Sequence, residues 1–149
     1  MEKVFTRSRI TIKAKPSEVF KYLSNTKYHY YWNPSLRVIS DQVDLNIGSS
    51  YDTEVIILKD IRIKSHVIIT DYVKDRLIEF NNAVGAIDYT AKIKLTAKDS
   101  ATEVTLDINV LTKSKTFGLT LPVLKQLATN ELNTDLRSLK VAVENKIGQ

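Results

Sequence analysis

Apolar and polar residues alternate along most of this chain. Val4, Thr6, Ser8, Ile10, Ile12 and Ala14 fall on one side of an extended segment, and Phe5, Arg7, Arg9, Thr11 and Lys13 on the other. A period of two is that of a half-buried strand. The same period predicts strands over Leu36 to Val43, Tyr51 to Leu58, Ile61 to Tyr72 and Arg76 to Asn81. It is cleanest over the last two strands. There Ile87, Tyr89, Ala91, Ile93 and Leu95 alternate with polar residues, as do Val104, Leu106, Ile108 and Val110. Turns are expected at Asn46 to Ser49, Lys59-Asp60, Val73 to Asp75, Asn82 to Gly85 and Asp99-Ser100, where glycine, asparagine and aspartate collect. The result is an antiparallel meander with one apolar and one wet face.

Two segments break the alternation. Lys15-Pro16-Ser17 ends the first strand and starts a helix. Proline suits the first helical turn and Glu18 its positive end, with Val19, Phe20 and Leu23 as the apolar stripe. The run Tyr28-His29-Tyr30-Tyr31-Trp32-Asn33-Pro34 follows as a short helix or tight loop. At the other end the period changes to steps of three and four: Leu124, Leu127, Ala128, Leu132, Leu136, Leu139 and Val143. That predicts an amphipathic helix from about Pro122 to Lys146, roughly 37 Å long at 1.5 Å per residue. Such a stripe needs a partner, and the apolar face of the sheet is the one available. The fold class is therefore α+β.

Composition narrows the function. The chain has 149 residues and no linker or repeat, which fits one domain over 1–149. Without cysteine it has neither disulfides nor thiolate chemistry. No segment reads as a signal peptide or a membrane span, so a soluble cytoplasmic protein without stable membrane insertion is expected. The net charge of +5 is spread along the chain. No aromatic-and-basic strand motif points to nucleic acid, and no nucleic acid partner is expected. His29 and His66 lack metal-ligand spacing, so neither a metal nor another cofactor is expected. No Gly-x-Ser-x-Gly motif is present. Acid–base work by Tyr51, Tyr89, Glu79 or Asp135 stays open, and no catalytic residue is assigned.

Several residues carry a resemblance. Ile10-Thr11-Ile12-Lys13-Ala14-Lys15-Pro16-Ser17-Glu18-Val19-Phe20-Lys21-Tyr22-Leu23 resembles the opening strand, Ala-x-Pro-x-Glu-Val break and first helix of the START-like (SRPBCC) superfamily, in its polyketide cyclase/dehydrase and lipid-transport branch. Tyr31-Trp32-Asn33-Pro34 resembles the Trp-x-Pro that follows, and Gly48 the glycine before the third strand. The resemblance implies a helix-grip fold: a curved antiparallel sheet of about six or seven strands, two short N-terminal helices and one long C-terminal helix. It also implies an elongated cavity between sheet and long helix. The inward residues Thr6, Ser8, Tyr51, Thr53, Val55, Ser65, Tyr89, Ala91, Leu106 and Ile108 would then form its wall, apolar with a few hydroxyls, as ligand pockets are built.

Three further places have two readings each. Trp32 stands at a cavity mouth or plugs the core beneath the first helix. Phe117, beside Gly118, is a lip over a cavity or a staple onto the long helix. Glu131 and Asp135 fall beside the apolar stripe of that helix, facing the cavity or reaching solvent from its edge. The candidate ligand-binding set is Trp32, Tyr51, Thr53, Ser65, Tyr89, Phe117, Glu131 and Asp135. The expected partner is a hydrophobic small molecule such as a lipid, isoprenoid or polyketide-like compound, carried or sensed. The rivals are a cyclase/dehydratase-like enzyme, and an adaptor binding a protein, ribosome or membrane surface through Arg7, Arg9, Lys13, Arg62, Lys64, Lys92 and Lys94.

Overall fold

A computed structural model describes residues 2–33, 36–40, 44–57, 61–84, 87–112, 115–116 and 119–149. Strand β1 spans Glu2–Ile12, helix α1 Pro16–Ser24, a 3-10 turn Thr26–Tyr28 and helix α2 His29–Trp32. Six strands follow: β2 Leu36–Val38, β3 Ser50–Ile57, β4 Ile61–Val73, β5 Leu77–Val84, β6 Ile87–Lys98 and β7 Ala101–Thr112. The small strands β8 Lys115–Thr116 and β9 Leu119–Thr120 pair with each other, and α3 runs over Leu121–Glu144. The large sheet has the order β1-β7-β6-β5-β4-β3-β2, with every pair antiparallel. This is the α+β class expected from the alternation and the helix-grip arrangement that the resemblance implies.

The alternation sets which face is buried. Val4, Thr6, Ser8 and Ile12 are buried on β1, while Phe5, Arg7, Arg9 and Thr11 are exposed. The turns use the predicted residues. Asp75 and Asp99 both adopt positive φ, and Gly48 turns at φ 80° within the Asn46–Ser49 turn. Two predicted boundaries need correction. The strand starting at Leu36 ends at Val38, and the Lys59-Asp60 turn lies outside the described residues. The segment from Asn82, read as a turn, is strand: β5 continues to Val84, and Asn82 pairs with Tyr89 of β6. Cross-strand hydrogen bonding outweighs the turn preference of asparagine there.

Helix α3 lies along β1 and runs in the same direction. Thr129 Oγ1 sits 3.2 Å from Thr6 Oγ1, and Ser8 Oγ donates to Asn133 Oδ1 at 2.9 Å. Further along, Lys140 Nζ donates to Thr11 O at 2.9 Å, and Glu144 Oε2 accepts from Lys13 N at 2.8 Å. Thr6 and Ser8, expected on a cavity wall, thus spend their hydroxyls fastening the helix to the edge strand. Leu132, Leu136, Leu139 and Val143 form the buried stripe of α3. The side chains of Leu124, Leu127 and Ala128 lie outside the described ones. The core is filled most heavily near α1. Ile12, Val19, Ile69, Ile78, Ile93 and Val104 are almost wholly buried there with Leu139.

Candidate functional site

The inner face of the sheet changes character along its strands. Toward α1 it carries large aliphatic residues. Toward the end where β3 and β5 finish and β4 and β6 begin, it carries Thr53, Ser65, Val67, Asn82 and Tyr89. Register explains the grouping. Tyr51 pairs with Val67, Val67 with Asn82, Asn82 with Tyr89, Tyr89 with Val110 and Val110 with Val4. These residues form one row across six strands. Thr53 and Ser65 pair in the next row and share a buried hydrogen bond. Hydroxyl and amide side chains in an interior must be hydrogen-bonded or they destabilise the fold.

The polar members of this region act on one another. Asn82 is fully buried and donates through Nδ2 to the Tyr89 hydroxyl at 2.9 Å. Tyr89 is half-buried, and its ring meets Phe80 edge-on at 6.3 Å. Burial raises the pKa of the Tyr89 phenol, the Asn82 hydrogen bond opposes this, and the carboxylates of Asp135 and Glu131 raise it further. Burial, with the nearby Tyr89 charge, likewise raises the pKa of Tyr51. The charges of Asp135 and Glu131 on α3 are thus felt at this row.

Asp135 is the unusual group. It sits among Leu132, Leu136 and Leu139 on the buried side of α3 and is 5% exposed. Burial pushes its carboxyl up to about 8 from 3.8, and Glu131, one turn away, adds to this by its charge and a side-chain hydrogen bond. Two carboxyl groups can hydrogen-bond only if one keeps a proton. Glu131 itself is exposed. Of the two readings of this pair, Asp135 fits the interior one and Glu131 the edge. Two buried oxygens, Asn82 Oδ1 and Asp135 Oδ1, have no hydrogen-bond partner among the described residues.

Trp32 lies elsewhere. It is buried, and its Nε1 donates to Tyr22 O at 3.0 Å, satisfying a carbonyl near the end of α1. His29 meets it edge-on at 5.3 Å and meets Tyr51 at 6.0 Å. The His29 Nε2 is 3.0 Å from Leu23 O, and burial lowers the ring's pKa to about 4. Trp32, His29, Leu45, Tyr51, Ile69 and Phe80 border a pocket of about 20 Å³, room for about one water molecule. Tyr51 thus links this pocket to the polar row, whereas Trp32 is part of the packing under α1. Phe117 lies outside the described residues, as does the side chain of Val55.

Asn82 was missing from the candidate set because Asn-Ala-Val-Gly reads as a turn. The usable signal was the inward period of β5. Ile78 and Phe80 are followed two residues later by Asn82. The outer face carries the basic residues, but some are neutralised across strands. Arg7 makes two bonds to Asp107, at 2.6 and 2.8 Å, and Arg62 meets Glu54 at 3.1 Å. His66 is paired with Asp52 on this outer side. Among the described residues no three His, Asp or Glu side chains gather as metal ligands do, and no helix is long and apolar enough to cross a membrane.

The fold has many relatives of known structure. A protein from Chromobacterium violaceum superposes with a TM-score of 0.77 at 13% identity, covering 94% of this chain and 96% of its own. A START superfamily protein from Mycobacterium smegmatis gives 0.76 at 15% identity, covering 95% and 97%. A conserved protein from Geobacillus kaustophilus gives 0.76 at 14%, covering 95% and 96%. At such identities the likeness is one of fold. Among curated proteins no sequence matches the chain. The family model described as polyketide cyclase / dehydrase and lipid transport matches residues 4–144, and the chain belongs to that family.

Proposed function

We propose that this protein binds an apolar small molecule between the inner face of the sheet and α3, with the Asn82–Tyr89–Asp135 group orienting it. The observation that carries this reading is the polar patch itself. Aliphatic residues would pack that stretch of wall more stably than Thr53, Ser65, Asn82 and a buried aspartate do. Apolar surroundings with a few convergent polar groups are how small-molecule sites combine affinity with orientation. Membership of a family described by lipid transport and polyketide chemistry agrees with it.

Titration with Nile red, a neutral fluorescent dye, tests the reading. The dye binds the native protein with one-to-one stoichiometry. Ser65→Leu, which places an aliphatic side chain in the wall, weakens dye binding by about tenfold or more, read at a temperature where circular dichroism shows the variant folded. Dye affinity that is absent, or that ignores this filling, would count against the proposal.

A second reading is a cyclase or dehydratase acting on the bound molecule. It is favoured by one group: the Asp135 carboxyl, at about 8, is poised near working pH as a general acid must be. Under that reading Asp135→Asn removes turnover of a bound polyketide while leaving dye affinity within about twofold. Loss of both together would show that Asp135 only shapes the site.

A further inference from the structure

Asn82 belongs to β5 and Asp135 to α3, and the Oδ1 atom of each is buried. Both residues are more than nine-tenths buried, and neither oxygen has a partner among the described residues. The Tyr89 hydroxyl accepts from Asn82 Nδ2 at 2.9 Å, and the Asp135 carboxyl also acts on its phenol. Asn82 already fills one acceptor position on that hydroxyl, which leaves its own proton to donate.

We propose that the molecule bound here carries a neutral hydroxyl group, which donates to the open oxygens of Asn82 or Asp135 and accepts from Tyr89. This rests on the binding reading above and specifies its ligand. Two unfilled oxygens call for a donor, which an ether, an ester oxygen or a ketone lacks. A carboxylate or phosphate head would have to give up its hydration in an apolar interior. An ammonium head would surrender its hydration, yet the buried member of the pair keeps its proton at neutral pH and offers no full counter-charge. An alcohol donates to one open oxygen and accepts from Tyr89 without bringing an ion into the interior.

Four eight-carbon probes separate these possibilities by displacement of Nile red near neutral pH: 1-octanol, octyl methyl ether, octylammonium and octanoate. 1-Octanol is expected to bind at least about tenfold more tightly than the ether and than either ion. In Asn82→Val the preference for the alcohol over the ether shrinks to within about threefold. Equal affinity for alcohol and ether would overturn the hydroxyl assignment and leave the apolar site standing. Tighter binding of octylammonium or octanoate would overturn it in favour of a charged head. Failure of all four, and of the dye, would instead overturn the binding reading beneath it.

Discussion

Replacing Asp135 with asparagine is expected to change how stability depends on pH. The native carboxyl has its pKa at about 8, against 3.8 for an ordinary aspartate. Between those values the native state holds a proton that the unfolded chain has released. Rising pH therefore favours unfolding. The contribution is fully present below 3.8 and is lost as pH climbs through about 8. At about 1.36 kcal/mol per pH unit, ionising this group in place costs ~6 kcal/mol, comparable with the whole stability of a small domain. His29 works in the opposite sense. It is buried neutral with a pKa of about 4 rather than 6.5, so its contribution is lost as pH falls through that interval. That loss amounts to ~3 kcal/mol. From about pH 4 to 6.5 the two slopes oppose each other, and the native protein changes little in stability. From about pH 6.5 to 8 Asp135 acts alone, and stability falls by ~2 kcal/mol. In Asp135→Asn only the His29 slope remains, so the variant gains stability up to about pH 6.5 and then stays level. Urea unfolding at about pH 4.5, 6.5 and 8.5 reads both profiles. Parallel profiles, with a constant difference between the two proteins, would refute the assignment of a protonated interior carboxyl.

Two further substitutions test the packing. Leu139, 1% exposed on the stripe of α3, should cost about 2–5 kcal/mol when replaced by alanine, read as a lower urea midpoint with an unchanged slope. Trp32→Phe strips the donor from Tyr22 O, and leaving that buried carbonyl unmet should cost ~1–3 kcal/mol. If Trp32→Phe left stability unchanged, the Nε1 bond to Tyr22 O would not contribute to holding the ring under α1.

Much of this was legible in the sequence because the alternation is so regular. The inward positions Tyr51, Thr53, Ser65 and Tyr89 follow from a period of two, and register then brings Tyr51 and Tyr89 into one row. The edge position of Glu131 and Asp135 followed from helical spacing. What spacing could not resolve was their difference. A wheel puts both beside the stripe, whereas Leu132, Leu136 and Leu139 surround Asp135 and leave Glu131 exposed. Asn82 was obscured by local turn chemistry, which competes with strand pairing and loses only because β6 is there to pair with it. The burial of His29 and Trp32 depends on how a 3-10 turn folds the aromatic run back under α1. Aromatic residues bury large areas in either setting, so composition alone does not choose between them.

The most direct measurement is a crystal structure of the protein grown with 1-octanol. The alkyl chain is expected between the sheet and α3, with its oxygen within hydrogen-bonding distance of Asn82 Oδ1 or Asp135 Oδ1. A structure whose side chains fill that space completely, or with the alcohol bound on the outer face of the sheet, would contradict it.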